Sequence, residues 1–222
     1  MRKYEQTLED NFDTYNTDLW VGVSSGAKTK MATTPKLDNY VRDGKLRLEF
    51  KKLDKPIIKD GVEYWYTDSG VKTYGKFSQK YGCFTARMKH PSYHTGVFTA
   101  FWLLPNGEYT KDYFFKRTDM GDDFHGCSEI DIMEIFCNPD TYGCAHTEHY
   151  WAPDWDTSVR FTKSSNGKFY IIPGFKYGEY QEYSCVWNEY GIYYYVDGEL
   201  SKANTNIAPA AKYINPCFIS AF

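Results

Sequence analysis

The stretch Ser128-Glu129-Ile130-Asp131-Ile132-Met133-Glu134-Ile135-Phe136 sets three carboxylates into an otherwise apolar run rich in β-branched residues. Such residues suit a half-buried, pleated surface. Side chains of a strand alternate between faces, so Glu129 and Asp131 share one face while Ile130 and Ile132 share the other. Glu134 lies an odd number of positions after Glu129 and would fall on the wrong face. One inserted residue, a β-bulge near Ile132 or Met133, returns it to the face of the other two acids. Clustering like charges costs energy and raises at least one pKa, so stability alone does not account for the trio.

The segments around this strand read the same way. Lys45-Leu46-Arg47-Leu48-Glu49-Phe50 alternates strictly after the turn dipeptide Asp43-Gly44, which predicts a strand. Gly75 to Met88 reads as two strand segments with a glycine-bearing break. Gly191-Ile192-Tyr193-Tyr194-Tyr195-Val196, followed by Asp197-Gly198 and Glu199-Leu200, predicts a hairpin. The polar, turn-rich stretch from Pro105 to Gly126 reads as one long loop.

Composition supports β structure. The 222 residues include 21 Tyr, 15 Phe and 6 Trp, and Tyr outnumbers both Leu and Ala. Leu and Ala are strong helix formers, whereas aromatics favour sheets, so a helical bundle is excluded in favour of a sandwich or barrel. A hydrophobic fraction of 42% and a charged fraction of 25% exclude a disordered chain. Apolar runs fall far short of the roughly 20 residues that span a bilayer. A net charge of −3 and the lack of any long basic block give no footprint for nucleic acid. An uncharged, stacking ligand fits better.

The six cysteines contain no C-x-x-C pair, which argues against a zinc ribbon or a thioredoxin-like site. Cys137 and Cys144 are close enough in sequence to close a short loop in a secreted protein; buried free thiols are the alternative. A calcium site built on the three acids would lack the turn-forming loop such sites use. With a bulge, Glu129 and Glu134 are effectively four positions apart, about 13 Å along the strand at ~3.3 Å per residue. Side chains leaning together can close that to the ~5–5.5 Å separation of a retaining carboxylate pair.

Glu129-Ile130-Asp131-Ile132-Met133-Glu134 resembles the E-x-D-x-x-E signature of glycoside hydrolase family 16 in its laminarinase-like, bulged form. Gly96-Val97-Phe98-Thr99-Ala100-Phe101-Trp102-Leu103-Leu104-Pro105 is similar to that family's G-x-W-P-A-F-W-L-L-P strand. Tyr74-Gly75-Lys76-Phe77 and Tyr81-Gly82-Cys83-Phe84-Thr85-Ala86-Arg87-Met88-Lys89 resemble its Y-G-x-F-E-A-R-x-K pair. Asn11-Phe12-Asp13 with Leu19-Trp20 resembles the N-terminal region, and Tyr193 to Gly198 the late F-Y-V-D-G hairpin. These matches run in the family's order along most of the chain.

The resemblance implies an all-β jelly-roll sandwich of two antiparallel sheets with a concave cleft, and endo-acting, retaining cleavage of β-linked polysaccharide. The expected substrate is β-1,3- or mixed β-1,3-1,4-glucan; a red-algal galactan, a transglycosylase and a non-catalytic glycan-binding module are the alternatives. It implies Glu129 as nucleophile, Glu134 as acid/base and Asp131 as the group that hydrogen-bonds the nucleophile. Trp102, His146, Asn39, His149, Trp151 and Trp155 are the expected substrate contacts. It further implies no required cofactor, with a structural calcium the one ion the family pattern admits, and a monomer with no nucleic-acid or membrane partner. A secreted location is implied too, although Met1-Arg2-Lys3-Tyr4-Glu5-Gln6 lacks the apolar segment of a signal peptide.

Departures from the pattern bear on the substrate. Val71 stands after Ser69-Gly70 where laminarinase-like members usually carry Arg, and Phe98-Thr99 replaces Trp-Pro. The segment from Glu108 to Cys127 is longer than in many laminarinases. The expectation is one domain over residues 1–222 that lacks the family's usual C-terminal strand.

Overall fold

The computed structural model describes residues 5–23, 40–91, 96–105, 128–137, 142–150, 175–205 and 217–221. The described residues form twelve strands and no helix. They are β1 (Val21–Val23), β2 (Lys51–Lys59), β3 (Val62–Thr67), β4 (Gly70–Lys72), β5 (Gly82–Lys89) and β6 (Phe98–Pro105), then β7 (Ser128–Cys137), β8 (Tyr142–Tyr150), β9 (Tyr180–Asn188), β10 (Gly191–Val196), β11 (Glu199–Asn204) and β12 (Cys217–Ala221). One antiparallel sheet runs β1-β4-β12-β6-β7-β8, a second runs β11-β10-β9-β5, and β2 and β3 pair as a separate hairpin. The acid-bearing β7 is thus flanked by β6 and β8.

Turn chemistry fixes the registers. Asp60-Gly61 joins β2 to β3 and Asp197-Gly198 joins β10 to β11, and in each pair both residues have positive φ. This is the turn whose twist matches a hairpin, and glycine takes its second position without steric cost. Asp197 also ties the turn to β9, accepting from the Glu182 amide at 2.8 Å and the Gln181 side-chain amide at 2.9 Å. Those two bonds hold its carboxyl below its ordinary range.

Two predicted strands are shorter than expected. Asp43-Gly44 does form the predicted turn, closed by Arg42 and Lys45, but its ladder ends at the Val41–Leu46 bridge. The Ser69 hydroxyl then takes over at Glu49, accepting from its amide at 2.5 Å and donating to its carbonyl at 3.1 Å. A side chain has replaced the neighbouring strand. Similarly, only the second half of Gly75–Met88 is extended. The amides of Lys76 and Phe77 both donate to the Thr73 carbonyl and wind the first half into a turn. The long loop expected over Pro105 to Gly126 lies almost wholly outside the described residues.

The main core lies between the two sheets. Phe101, Leu103, Ile130, Ile132, Met133 and Ile135 face Phe84, Tyr183, Cys185, Trp187, Ile192 and Tyr194. Tyr193-Tyr194-Tyr195 follows strand alternation, with the middle ring buried and its neighbours partly exposed. Trp20, Tyr40 and Val71 form a second cluster, packed by Phe12, Tyr15 and Leu19. Val71, where the family pattern expects Arg, is therefore a core residue. Cys144 is a free thiol in the main core opposite Ile135, so of the two alternatives the buried free thiol holds for it and the loop-closing pair with Cys137 does not form. Strand alternation turns Cys144 inward, away from the loop that a disulfide would close.

Among the described residues Trp187, only 1% exposed, is the largest fully buried side chain. Trp187→Ala is expected to cost about 3–5 kcal/mol in denaturant unfolding, whereas Ile58→Thr, at a 70% exposed position, stays within about 0.5 kcal/mol. Equal losses at the two positions would contradict this placement of the core.

Candidate active site

The predicted bulge is present. Against β8, Asp131 pairs with Thr147 and Glu134 with Ala145, so β7 takes one more residue than its partner. Against β6, Trp102 pairs with Asp131 and Phe101 with Met133, which leaves Ile132 without a register partner on either side. Ile132 and Met133 both turn into the core and are fully buried. Glu134 consequently returns to the side of Glu129 and Asp131.

Residues directly opposite one another on adjacent strands share a face. The acids' face therefore continues on β6 through Trp102 opposite Asp131, Ala100 opposite Glu134, and Phe98 beyond it. Trp102 is half-buried and Phe98 is 48% exposed. Ala100, opposite Glu134, is itself buried. On β8 the same face carries Thr147, whose hydroxyl donates to Glu134. His149 is the register partner of Glu129.

Asp131 is 2% exposed and hydrogen-bonds Glu129. Burial, and then the charge of Glu134, hold its carboxyl well above the ordinary range, against the opposing pull of the Glu129 bond. The most buried member of the trio therefore resists ionisation, while its hydrogen bond to Glu129 favours the charged form.

His146 occupies a different place from the expected sugar contact. It alternates with Ala145 and Thr147, so its ring points to the inter-sheet side, where it is buried and stacks on Tyr194 at 4.6 Å. Its Nδ1 lies 2.6 Å from the Ile132 carbonyl and its Nε2 lies 2.9 Å from the Ser201 hydroxyl. Burial pushes its pKa down to about 4, so the ring is neutral near pH 7. Beside it, Glu148 forms an ion pair with Lys202 at 2.9 Å. Asn39, Trp151 and Trp155 lie outside the described residues, as does the side chain of His149. Thr147, Ala100 and the Ser201–Lys202 pair are missing from the sequence reading. Counting back from the Cys137–Tyr142 hairpin end, with the bulge included, would have placed Thr147 opposite Asp131. Among the described residues no group of three or more His, Cys, Asp or Glu side chains is arranged to hold a metal ion.

Residues 26–217 match the family described as Glycosyl hydrolases family 16. The chain belongs to that family. It is 31% identical over 169 residues to Glucan endo-1,3-beta-glucosidase A1 of Niallia circulans, a match covering 75% of this chain and 22% of that protein. The chain thus spans about a fifth of the length of that curated relative. Among solved structures it resembles the laminarinase catalytic domain of Thermotoga maritima MSB8, at 22% identity over 99% of this chain and 86% of that one, with a TM-score of 0.69. It also resembles the kappa-carrageenase of Pseudoalteromonas carrageenovora, at 18% identity over 96% of this chain and 77% of that one, with a TM-score of 0.67. At such identities the likeness is one of fold: the family 16 jelly roll.

A buried acid with a raised pKa destabilises the fold once pH rises above its unfolded value, because folding then requires proton uptake. The ordinary value for Asp131 is 3.8. Asp131→Asn keeps a hydrogen-bonding side chain beside Glu129 and removes this penalty. The variant is expected to unfold at higher denaturant than wild type at pH 7, with the gap closing as pH falls below about 4. A wild type more stable than the variant at pH 7 would contradict the raised pKa.

Proposed function

We propose that this family 16 chain is an endo-acting, retaining glycoside hydrolase that cleaves β-1,3- or mixed β-1,3-1,4-glucan by double displacement. One observation carries the reading: the bulge that brings Glu129, Asp131 and Glu134 to one face of β7. The 31% identity to a protein named as an endo-1,3-beta-glucosidase supports β-1,3-glucan as the first substrate to test.

In this reading the ionised Glu129 attacks the anomeric carbon and the glycosidic C–O bond breaks, while Glu134 gives its proton to the departing oxygen. Glu134 then takes a proton from water, which attacks the same carbon and releases Glu129. Asp131, hydrogen-bonded to Glu129 and made reluctant to ionise by its burial and by Glu134, spares the trio three adjacent charges. The Thr147 hydroxyl fixes the rotamer of Glu134. Trp102 and Phe98 offer apolar ring faces to the C–H faces of the sugars. A polysaccharide is too large to enter a cell intact, which favours a secreted enzyme acting as a monomer on its polymer.

Glu129→Gln is expected to abolish release of reducing sugar from laminarin while leaving the fold and glucan binding intact. Near-normal turnover by this variant would sink the assignment. A panel of laminarin, lichenan, agarose, carrageenan and xyloglucan identifies the polymer. Turnover confined to the galactans would replace the glucan reading, and binding without turnover by wild type would leave a glycan-binding module. Phe98→Ala is expected to raise KM about 3- to 10-fold with kcat within about threefold, as loss of a stacking contact made equally in ground and transition states.

A further inference from the structure

The bulge in β7 has a counterpart in the other sheet. Between β10 and β11, Tyr194 pairs with Lys202 and Tyr195 with Leu200, so Ser201 is an extra residue in β11. A bulge turns two consecutive side chains to one side. Ser201 and Lys202 both use this to reach β8: the Ser201 hydroxyl meets His146 Nε2 at 2.9 Å, and Lys202 Nζ donates to the His146 carbonyl at 3.0 Å. On its far side, His146 Nδ1 meets the carbonyl of Ile132 at 2.6 Å. A carbonyl can only accept, so Nδ1 carries the proton and Nε2 accepts from Ser201. The two bulges are therefore joined through a single imidazole.

We propose that His146 is a positioning residue that pins the β7 bulge, and that Ser201 braces it from the opposite sheet, so that Glu134 stays on the face of Glu129. Ile132 has no register partner, and its buried carbonyl needs a donor to hold this conformation. Without that donor, the extra residue can shift along β7. A shift of one position turns Glu134 away from Glu129, because side chains alternate. The ring touches neither a substrate nor the acids. It acts two residues upstream of Glu134, through the backbone alone.

This inference rests on the proposed role of Glu134 as the acid, which supplies a readout that general damage does not mimic. A 2,4-dinitrophenyl β-glucoside or laminaribioside has a leaving group that needs no protonation, whereas the polysaccharide requires the acid. His146→Leu is expected to lower kcat on laminarin about 100-fold, with KM within about threefold, while kcat/KM on the dinitrophenyl glycoside falls less than about fivefold. His146→Asn, whose side-chain amide can stand in for Nδ1–H, is expected to recover at least about a tenth of wild-type kcat on laminarin. Ser201→Ala removes only the brace and is expected to lower that kcat about 3- to 10-fold, again sparing the activated substrate.

Equal losses on both substrates, or no loss on either, in variants that retain the wild-type circular dichroism spectrum would overturn the inference. If His146→Leu fails to fold, Ser201→Ala and His146→Asn carry the same comparison of the two substrates. Failure of wild type to cleave either would overturn the glycosidase reading itself, and the positioning role with it.

Discussion

Three carboxylates at positions i, i+2 and i+5 of one strand reach a common face only if a residue is taken out of register between the second and third, and the architecture around β7 follows from that constraint. The bulge removes Ile132 from both ladders and turns it and Met133 inward together. Burying two such side chains is worth about 1.5–3 kcal/mol each. An unsatisfied buried carbonyl costs about 1–3 kcal/mol, enough to cancel one of them. The bulge is favourable when its carbonyl has a donor, and that donor is His146. A local irregularity in one strand thereby places a specific demand on the neighbouring strand, and through Ser201 on the opposite sheet.

The same geometry concentrates charge. Asp131 lies between Glu129 and Glu134 on one face, and on the inter-sheet side it also feels Glu148. Both Glu134 and Glu148 raise its pKa, whereas Lys202 lowers it. Lys202 also forms the ion pair with Glu148 and lies 5.3 Å from the centre of the Tyr194 ring. One cation thus balances the interior acid while its side chain stays partly open to solvent. A fully desolvated pair would be costly. Here the neutral His146 stands between the ion pair and the bulge, so the backbone near the acids is held by hydrogen bonds rather than by a second buried charge.

The sequence was most legible where parity alone decided the outcome. The odd offset between Glu129 and Glu134 located the bulge, and Asp-Gly dipeptides located the tight turns, because each depends on a few adjacent residues. Distant partners were not visible. The alternating run Lys45–Phe50 has the pattern of a strand, but the hydroxyl of Ser69, far along the chain, takes up the polar groups of Glu49. The side that His146 faces is not readable from the sequence, because the face of a β8 residue depends on the hairpin register and on the bulge across from it. An error of one position in either exchanges His146 with Thr147. The family resemblance supplied the fold and the order of strands, but it could not supply that parity.

Parity also gives meaning to the departures from the family pattern. Thr99, in place of Pro, lies opposite the buried Ile135 and meets His90 Nδ1 at 3.0 Å, so it belongs to the interior. Val71, in place of Arg, is likewise buried. Phe98, in place of Trp, is different: it shares a face with Ala100 and Trp102, half-exposed beside the acids. Of the three exchanges, only this one alters the surface offered to a sugar. Replacing Trp by Phe keeps an apolar ring but loses an indole N–H and part of the stacking area. In the proposed glucanase, the ring at Phe98 offers sugar C–H faces a stacking surface without a hydrogen-bond donor. Under that proposal the difference bears on affinity beside the acids rather than on the roles of Glu129 and Glu134.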